Sequence, residues 1–261
     1  QIYTMTSISD IWTASYSSSR EADTIGKELK KLIGAEEFLD AKQRFCLWIS
    51  NSNFSEALKI EPIKIRIQNV KDMRLSSTDK AANKLAERAH QFRETNETTT
   101  SSLIIPLTTS ERRVYIPLGF VNSEYIATNA VSVIYDAEPW IFGVISSLMH
   151  MAWVRAVGGS LETRIRYSSV LCYNTFPFPN ISQKQKDEIT ELVFAILDER
   201  EKHSQKTLAQ LYDPDKMPEG LKKAHHNLDI AIEQCYRSKP FESDEERLEY
   251  LFKMYEEMTS K

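Results

Sequence analysis

Residues 140 to 157 are apolar nearly all round, interrupted by His150 and Arg155 and followed by Gly158-Gly159. A helix without a polar face cannot lie on a surface, so other elements of the chain must enclose it, with the glycines as its C-terminal stop. The run is shorter than the roughly twenty uninterrupted apolar residues that cross a bilayer, and no membrane partner is expected. What encloses it is read from two changes of texture. From Leu103 the chain turns to short β-branched runs at 103–106, 114–118, around Ile126 and at 131–134, a meander of strands with Pro106, Pro117 and Gly119 at their ends. A further strand pair is expected within 164–173. From Ser182 the period becomes helical: Ile189, Leu192, Val193 and Ile196, then Leu228, Ile232 and Tyr236, then Leu248, Leu251 and Tyr255. The expected class is α+β, a mixed or antiparallel-sheet domain with flanking helices followed by an all-α C-terminal domain.

The N-terminal part is less regular. Residues 1–19 are rich in Ser and Thr and read as a connector or an edge strand, and 21–33 carries Ile25, Leu29 and Leu32 at the spacing of a short amphipathic helix ending near Gly34. A buried strand is expected over 44–49. Alternation around Ile60, Ile63, Ile65 and Ile67 fits a strand, but Pro62 argues against a central one and leaves helix open. Residues 72–95 read as a helix capped within 76–79, with Leu85, Ala89 and Phe92 on one face and Lys80, Lys84, Arg88 and Arg93 on the other. Three regions follow: a connector with a short helix at 1–33, a domain at 34–179 and a helical domain at 180–261.

At 261 residues, with 41% hydrophobic and 27% charged side chains, the chain can bury a sizeable core. Three widely spaced cysteines set among apolar residues fit reduced thiols in a cytoplasmic protein rather than a disulfide framework. The net charge of −4 is unevenly spread: residues 180–261 hold 13 of the 33 Lys and Arg but 18 of the 37 Asp and Glu. The stretch 61–118 reverses this, with ten basic side chains against seven acidic ones, a local excess of the kind phosphate neutralisation requires.

Three motifs in fixed order carry a resemblance. They are Gly-Ala-Glu-Glu-Phe at 34–38 with Arg-Phe-Cys-Leu-Trp at 44–48, Ser-Glu-Arg-Arg-Val-Tyr-Ile-Pro-Leu-Gly-Phe at 110–120, and Arg-Tyr-Ser-Ser-Val-Leu-Cys-Tyr-Asn-Thr-Phe-Pro-Phe-Pro at 166–179. Together they resemble the target recognition domain of the MmeI-like family, type IIL/IIG enzymes that join restriction, adenine-specific DNA methylation and sequence recognition in one bacterial polypeptide. Leu211-Tyr-Asp-Pro, Met217-Pro, Leu221, Ala224-His225, Leu228-Asp229, Phe241, Arg247 and Leu251-Phe252 resemble its C-terminal helical domain. The resemblance implies a chain that reads double-stranded DNA beside a methyltransferase domain of the same polypeptide. S-adenosylmethionine is then the cofactor of the whole protein and not of these residues, among which a Gly-x-Gly cradle and an Asn/Asp-Pro-Pro-aromatic turn are missing. No catalytic, cofactor or metal residue is expected here: His150 reads as a core histidine, and His225 and His226, being adjacent on a helix, point apart.

Base readout needs forked donors for guanine, acids for the cytosine amino group and amides for adenine, held in register by phosphate contacts. Ser110, Arg112 and Arg113 are candidates for phosphate or guanine, and since adjacent residues face opposite ways at most one of the two arginines turns to DNA. Glu162 and Arg164, two apart, share a face if the segment is a strand. The resemblance adds Asn129 and Ala130, with Ala130 against a thymine methyl, while Arg166 holds the fold or a phosphate. The alternative is a protein-interaction scaffold without DNA contact, consistent with the acidic C-terminal helices.

Overall fold

The computed structural model describes residues 25–97, 99–161 and 164–260. These divide into two compact units, one formed by the described parts of 1–33, 42–98 and 123–126, the other by those of 34–41, 99–122 and 127–261.

In the first unit the strand Leu29–Ile33 lies between Phe45–Leu47 and Tyr125–Ala127, pairing antiparallel with the former through Leu29 opposite Leu47 and Lys31 opposite Phe45. The amphipathic helix expected over 21–33 is thus corrected: 25–28 are helical, 29–33 are a strand, and 21–24 lie outside the described residues. The Leu32 amide donates to Arg44 O at 2.8 Å and the Lys31 amide to Glu124 O at 2.9 Å, so partners on both sides outweigh local periodicity. The alternation around Ile60 resolves to a helix, Glu61–Leu75, with Pro62 in its first turn where a missing N–H is harmless. The single helix expected over 72–95 is instead the end of that helix, then Lys80–Lys84 capped by Asp79, then a 3-10 turn at Leu85–Arg88. Arg74 explains the fold-back: its guanidinium donates to the carbonyls of Leu85 (2.7 Å), Arg88 (3.0 Å) and Gln91 (2.8 Å). Ile25, Phe45, Ile49, Ala57, Ile60 and Ile63 form the core beneath.

The second unit contains two three-stranded antiparallel sheets. In one, Ser101–Pro106 is central between Gly119–Asn122 and Val131–Tyr135; in the other, Arg164–Arg166 is central between Thr108–Ser110 and Gly159–Leu161. The strand expected over 114–118 does not form. Pro117 has no N–H to give a ladder, and the carbonyls at either end of the segment are taken by side chains, Arg113 O by Arg155 and Leu118 O by Arg200. Tyr115, Ile116 and Leu118 are nevertheless buried.

The apolar run becomes two helices, Pro139–Ser146 and Leu148–Val157, bent by 58° at Ser147, whose hydroxyl caps the second by accepting from the His150 amide. Among the described residues no single helix is long and apolar enough to cross a membrane. The bent pair is instead covered by Gln183–Glu201, Glu219–Tyr236 and Asp244–Thr259. Gly143 permits this closeness, since a Cβ there would lie 2.4 Å from Ile189 Cγ2. One hydrophobic core runs from Leu103 and Ile105 through Phe142, Met149 and Trp153 to Ile189, Leu228 and Leu251. The change of texture at Ser182 is therefore a change of secondary structure inside continuous packing.

Candidate nucleic-acid interface

The sheet around Arg164–Arg166 gathers several of the expected site residues. Its register sets Ser110 opposite Arg164 and Thr108 opposite Arg166. Ile165 is buried between two exposed arginines, so the alternation of a strand turns both guanidinium groups to one face. Beside them a cleft of about 420 Å³ is lined by Glu111, Arg155, Gly158, Gly159, Arg164 and Ile165. Glu162, which in sequence falls between Gly159–Leu161 and Arg164–Arg166, lies outside the described residues.

After Ser110 the chain turns, with Arg113 N donating to Ser110 O at 3.1 Å and Arg112 N to Ser110 Oγ at 3.3 Å. The two arginines then part. Arg112 is exposed and donates to Asp215 at 2.6 Å, a hydrogen bond that raises its pKa. Arg113 is half-buried, donates to Thr109 Oγ1 at 3.0 Å and has its pKa lowered by burial. Arg113 therefore ties the turn to its own strand, while Arg112 remains on the outside. Nothing in the local sequence marks Asp215 as the partner of Arg112, because the pair is formed by a loop about a hundred residues away.

Asn129 and Ala130 are exposed in the turn before Val131–Tyr135. One residue joins this turn to the arginine strand: Leu107 N donates to Ala130 O at 3.1 Å, and Leu107 O accepts from Tyr167 N at 2.8 Å. Leu107 carries no functional side chain and no sequence signal, yet it links the two candidate elements.

Behind the strand the motif at 166–179 is mostly scaffold. Tyr167 is buried with its hydroxyl 3.1 Å from His150 Nε2, Phe176 stands edge-on to the His150 ring at 4.6 Å, and Trp153 Nε1 donates to Thr175 Oγ1 at 3.1 Å. His150 is fully enclosed and burial brings its pKa down to about 3, so it is a neutral core histidine, as expected from its position in the apolar run. His225 is buried and its neighbour His226 exposed. The motifs at 34–38 and 110–120 touch: Gly34 N donates to Glu37 Oε2 at 2.8 Å at the start of the helix Ala35–Asp40, and the Phe38 ring packs so closely on Gly119 that a Cβ there would lie 2.8 Å from it. These stretches owe much of their pattern to packing, and of their cations Arg112 and Arg166 stand outward, as does Arg164 just before the last of them.

Comparison with known proteins gives matches along nearly all of the chain. The target recognition domain of MmeI matches residues 13–180 and the C-terminal domain of MmeI residues 181–261. DNA methyltransferase A of Bacillus subtilis (strain 168) is 49% identical over 233 residues, which are 89% of this chain and 26% of the relative. A solved structure of the type IIL restriction-modification enzyme MmeI in complex with DNA is similar at a TM-score of 0.91 and 38% identity, covering 99% of this chain and 34% of that one. The chain spans about a quarter to a third of the length of these relatives.

Proposed function

Because the chain belongs to the MmeI family, whose target recognition and C-terminal domains it carries, we propose that it reads the base sequence of double-stranded DNA for a methyltransferase domain of the same polypeptide. The observation that carries the reading is the strand Arg164–Arg166, which sets two arginines on one face beside Ser110 and, through Leu107, beside the Asn129–Ala130 turn. An arginine fork matches guanine O6 and N7 in the major groove, and each good contact of this kind discriminates by roughly 1–3 kcal/mol. In this reading Arg164, with Glu162 before it, reads bases, Asn129 and Ala130 meet a neighbouring pair, and Ser110, Arg112 and Arg166 hold phosphate or a base edge. Arg113 supports the turn from within.

The chemistry of the intact protein would be methyl transfer from S-adenosylmethionine to adenine N6, in a bacterial cytoplasm. The residues here do not fit that cofactor: the seven glycines form no Gly-x-Gly, and in Asn174-Thr175-Phe176-Pro177 both Phe176 and Pro177 are buried. No step of transfer is assigned to them.

Selection from a random-sequence duplex pool tests the reading. Wild type should enrich one sequence, and Arg164→Ala should relax it at one base pair. Neutralising Lys71, Lys80 and Lys84 should weaken all sequences alike and lower the salt slope. A chain that ignores duplex DNA at low salt is a scaffold, and the proposal is then wrong.

A further inference from the structure

The segment 111–118 has no helix or strand of its own, yet it carries Arg112. It is held from behind by three side chains. Arg155 donates to Arg113 O at 3.1 Å, the Tyr115 hydroxyl donates to Asp229 Oδ2 at 2.7 Å, and Arg200 donates to Leu118 O at 2.6 Å. Two of the three holders, Arg200 and Asp229, stand on the C-terminal helices and are buried.

Each holder is itself fixed. The second oxygen of Asp229 accepts from the Leu148 amide at 2.8 Å, at the bend of the apolar helix pair. Arg200 donates through Nε at 2.8 Å and also through Nη2 to the Tyr212 hydroxyl. An oxygen that accepts from Arg200 has its own hydrogen left to give, and His225 Nε2 lies 2.8 Å away to receive it. His225 is thereby set as the Nδ1–H tautomer and kept neutral, since burial holds its pKa well below the ordinary value. Its ring stacks on Tyr115 at 4.1 Å, which joins the Arg200 chain to the Asp229 chain. Tyr115, Arg200, Tyr212, His225 and Asp229 are buried, so loss of a bond among them leaves a polar group without water to replace its partner.

We propose that Asp229 and Arg200 are positioning residues for DNA reading: through Tyr115 and Leu118 O they set the course of the segment 111–118 and so the place from which Arg112 reaches DNA. The inference rests on the proposed function and goes beyond it, because it gives the C-terminal helices a part in recognition without contact to DNA.

The test uses the full chain and the duplex that wild type enriches from the random pool. Tyr115→Phe removes one hydroxyl and keeps the ring on His225; Arg200→Met removes the donors and keeps the stem. Tyr115→Phe, with its fold verified by circular dichroism, should weaken binding to the selected duplex about tenfold, the size of one lost contact. Combined with Arg112→Ala it should add nothing further, since both act on one group. Arg200→Met should do the same, and Arg200→Lys, which can still donate to Leu118 O, should recover part of the loss. Folded variants that bind as wild type, or a double variant whose losses add, overturn the inference. If wild type itself enriches no sequence, it is the proposed function that fails.

Discussion

Two arginine-bearing stretches stand on the outside of the second unit, and they are kept there by different means. In Arg164–Arg166 the period of a strand decides: Ile165 goes in, both arginines go out, and ladders on either side fix the register. In 111–118 there is no ladder, and side chains from Arg155, Asp229 and Arg200 take over the work of one. The first kind of order is written within three residues. The second is spread over positions 42 to 114 residues away, so a change far along the chain reaches it.

The largest effect that separates the two is expected from Ile165→Ala. Removing the one side chain that anchors the strand should cost about 2–5 kcal/mol of stability, read from chemical denaturation. A midpoint shift below experimental error would mean that the strand is held by its ladder alone. Gly119→Ala acts at the end of the irregular stretch, where its methyl meets the Phe38 ring, and should cost about 1–3 kcal/mol. A variant as stable as wild type would show that Phe38 yields freely and does not fix the segment.

Asp229→Asn sharpens the comparison through pH. Burial raises the Asp229 pKa to about 7 from an ordinary carboxylate value, so the folded state favours the protonated acid. Its contribution to stability is complete below the unfolded pKa and is lost as pH rises through about 7. The buried histidines His150 and His225 act oppositely, their pKa values being lowered, so the quantity to follow is the difference between wild type and variant. That difference should move against wild type between about pH 4 and 7, by at most about 1.4 kcal/mol per pH unit. A flat difference over this window refutes the buried-acid assignment. The smallest effect is expected from Arg112→Ala, whose exposed pair with Asp215 should leave the unfolding midpoint unchanged while DNA affinity falls. Loss of stability would place Arg112 with Arg113 among the supports.

What was legible in the sequence follows the same division. The strands near Leu103, Ile126 and Val131 and the three long C-terminal helices could be read because apolar spacing and burial agree there. The strand Leu29–Ile33 could not, since its helical period is overruled by partners at 44 and 124. That Arg112 and Arg113 part is expected from strand alternation, but they lie in a turn, and it is the Thr109 bond and burial that take Arg113 inward. Leu107, Asp215 and Arg200 leave no local mark, and Tyr212 and His225 stand in the stretches that resemble the C-terminal domain without showing that they bond, because these roles arise from backbone atoms and from residues brought together only by folding.

The bridge at Leu107 has a consequence for how specificity can be altered. Its amide and its carbonyl serve two neighbours at once, so inserting or deleting a residue there would displace the Asn129–Ala130 turn and the arginine strand in step. If the proposed base readers are right, a change of target site would come by exchange of outward side chains, with loop length held constant.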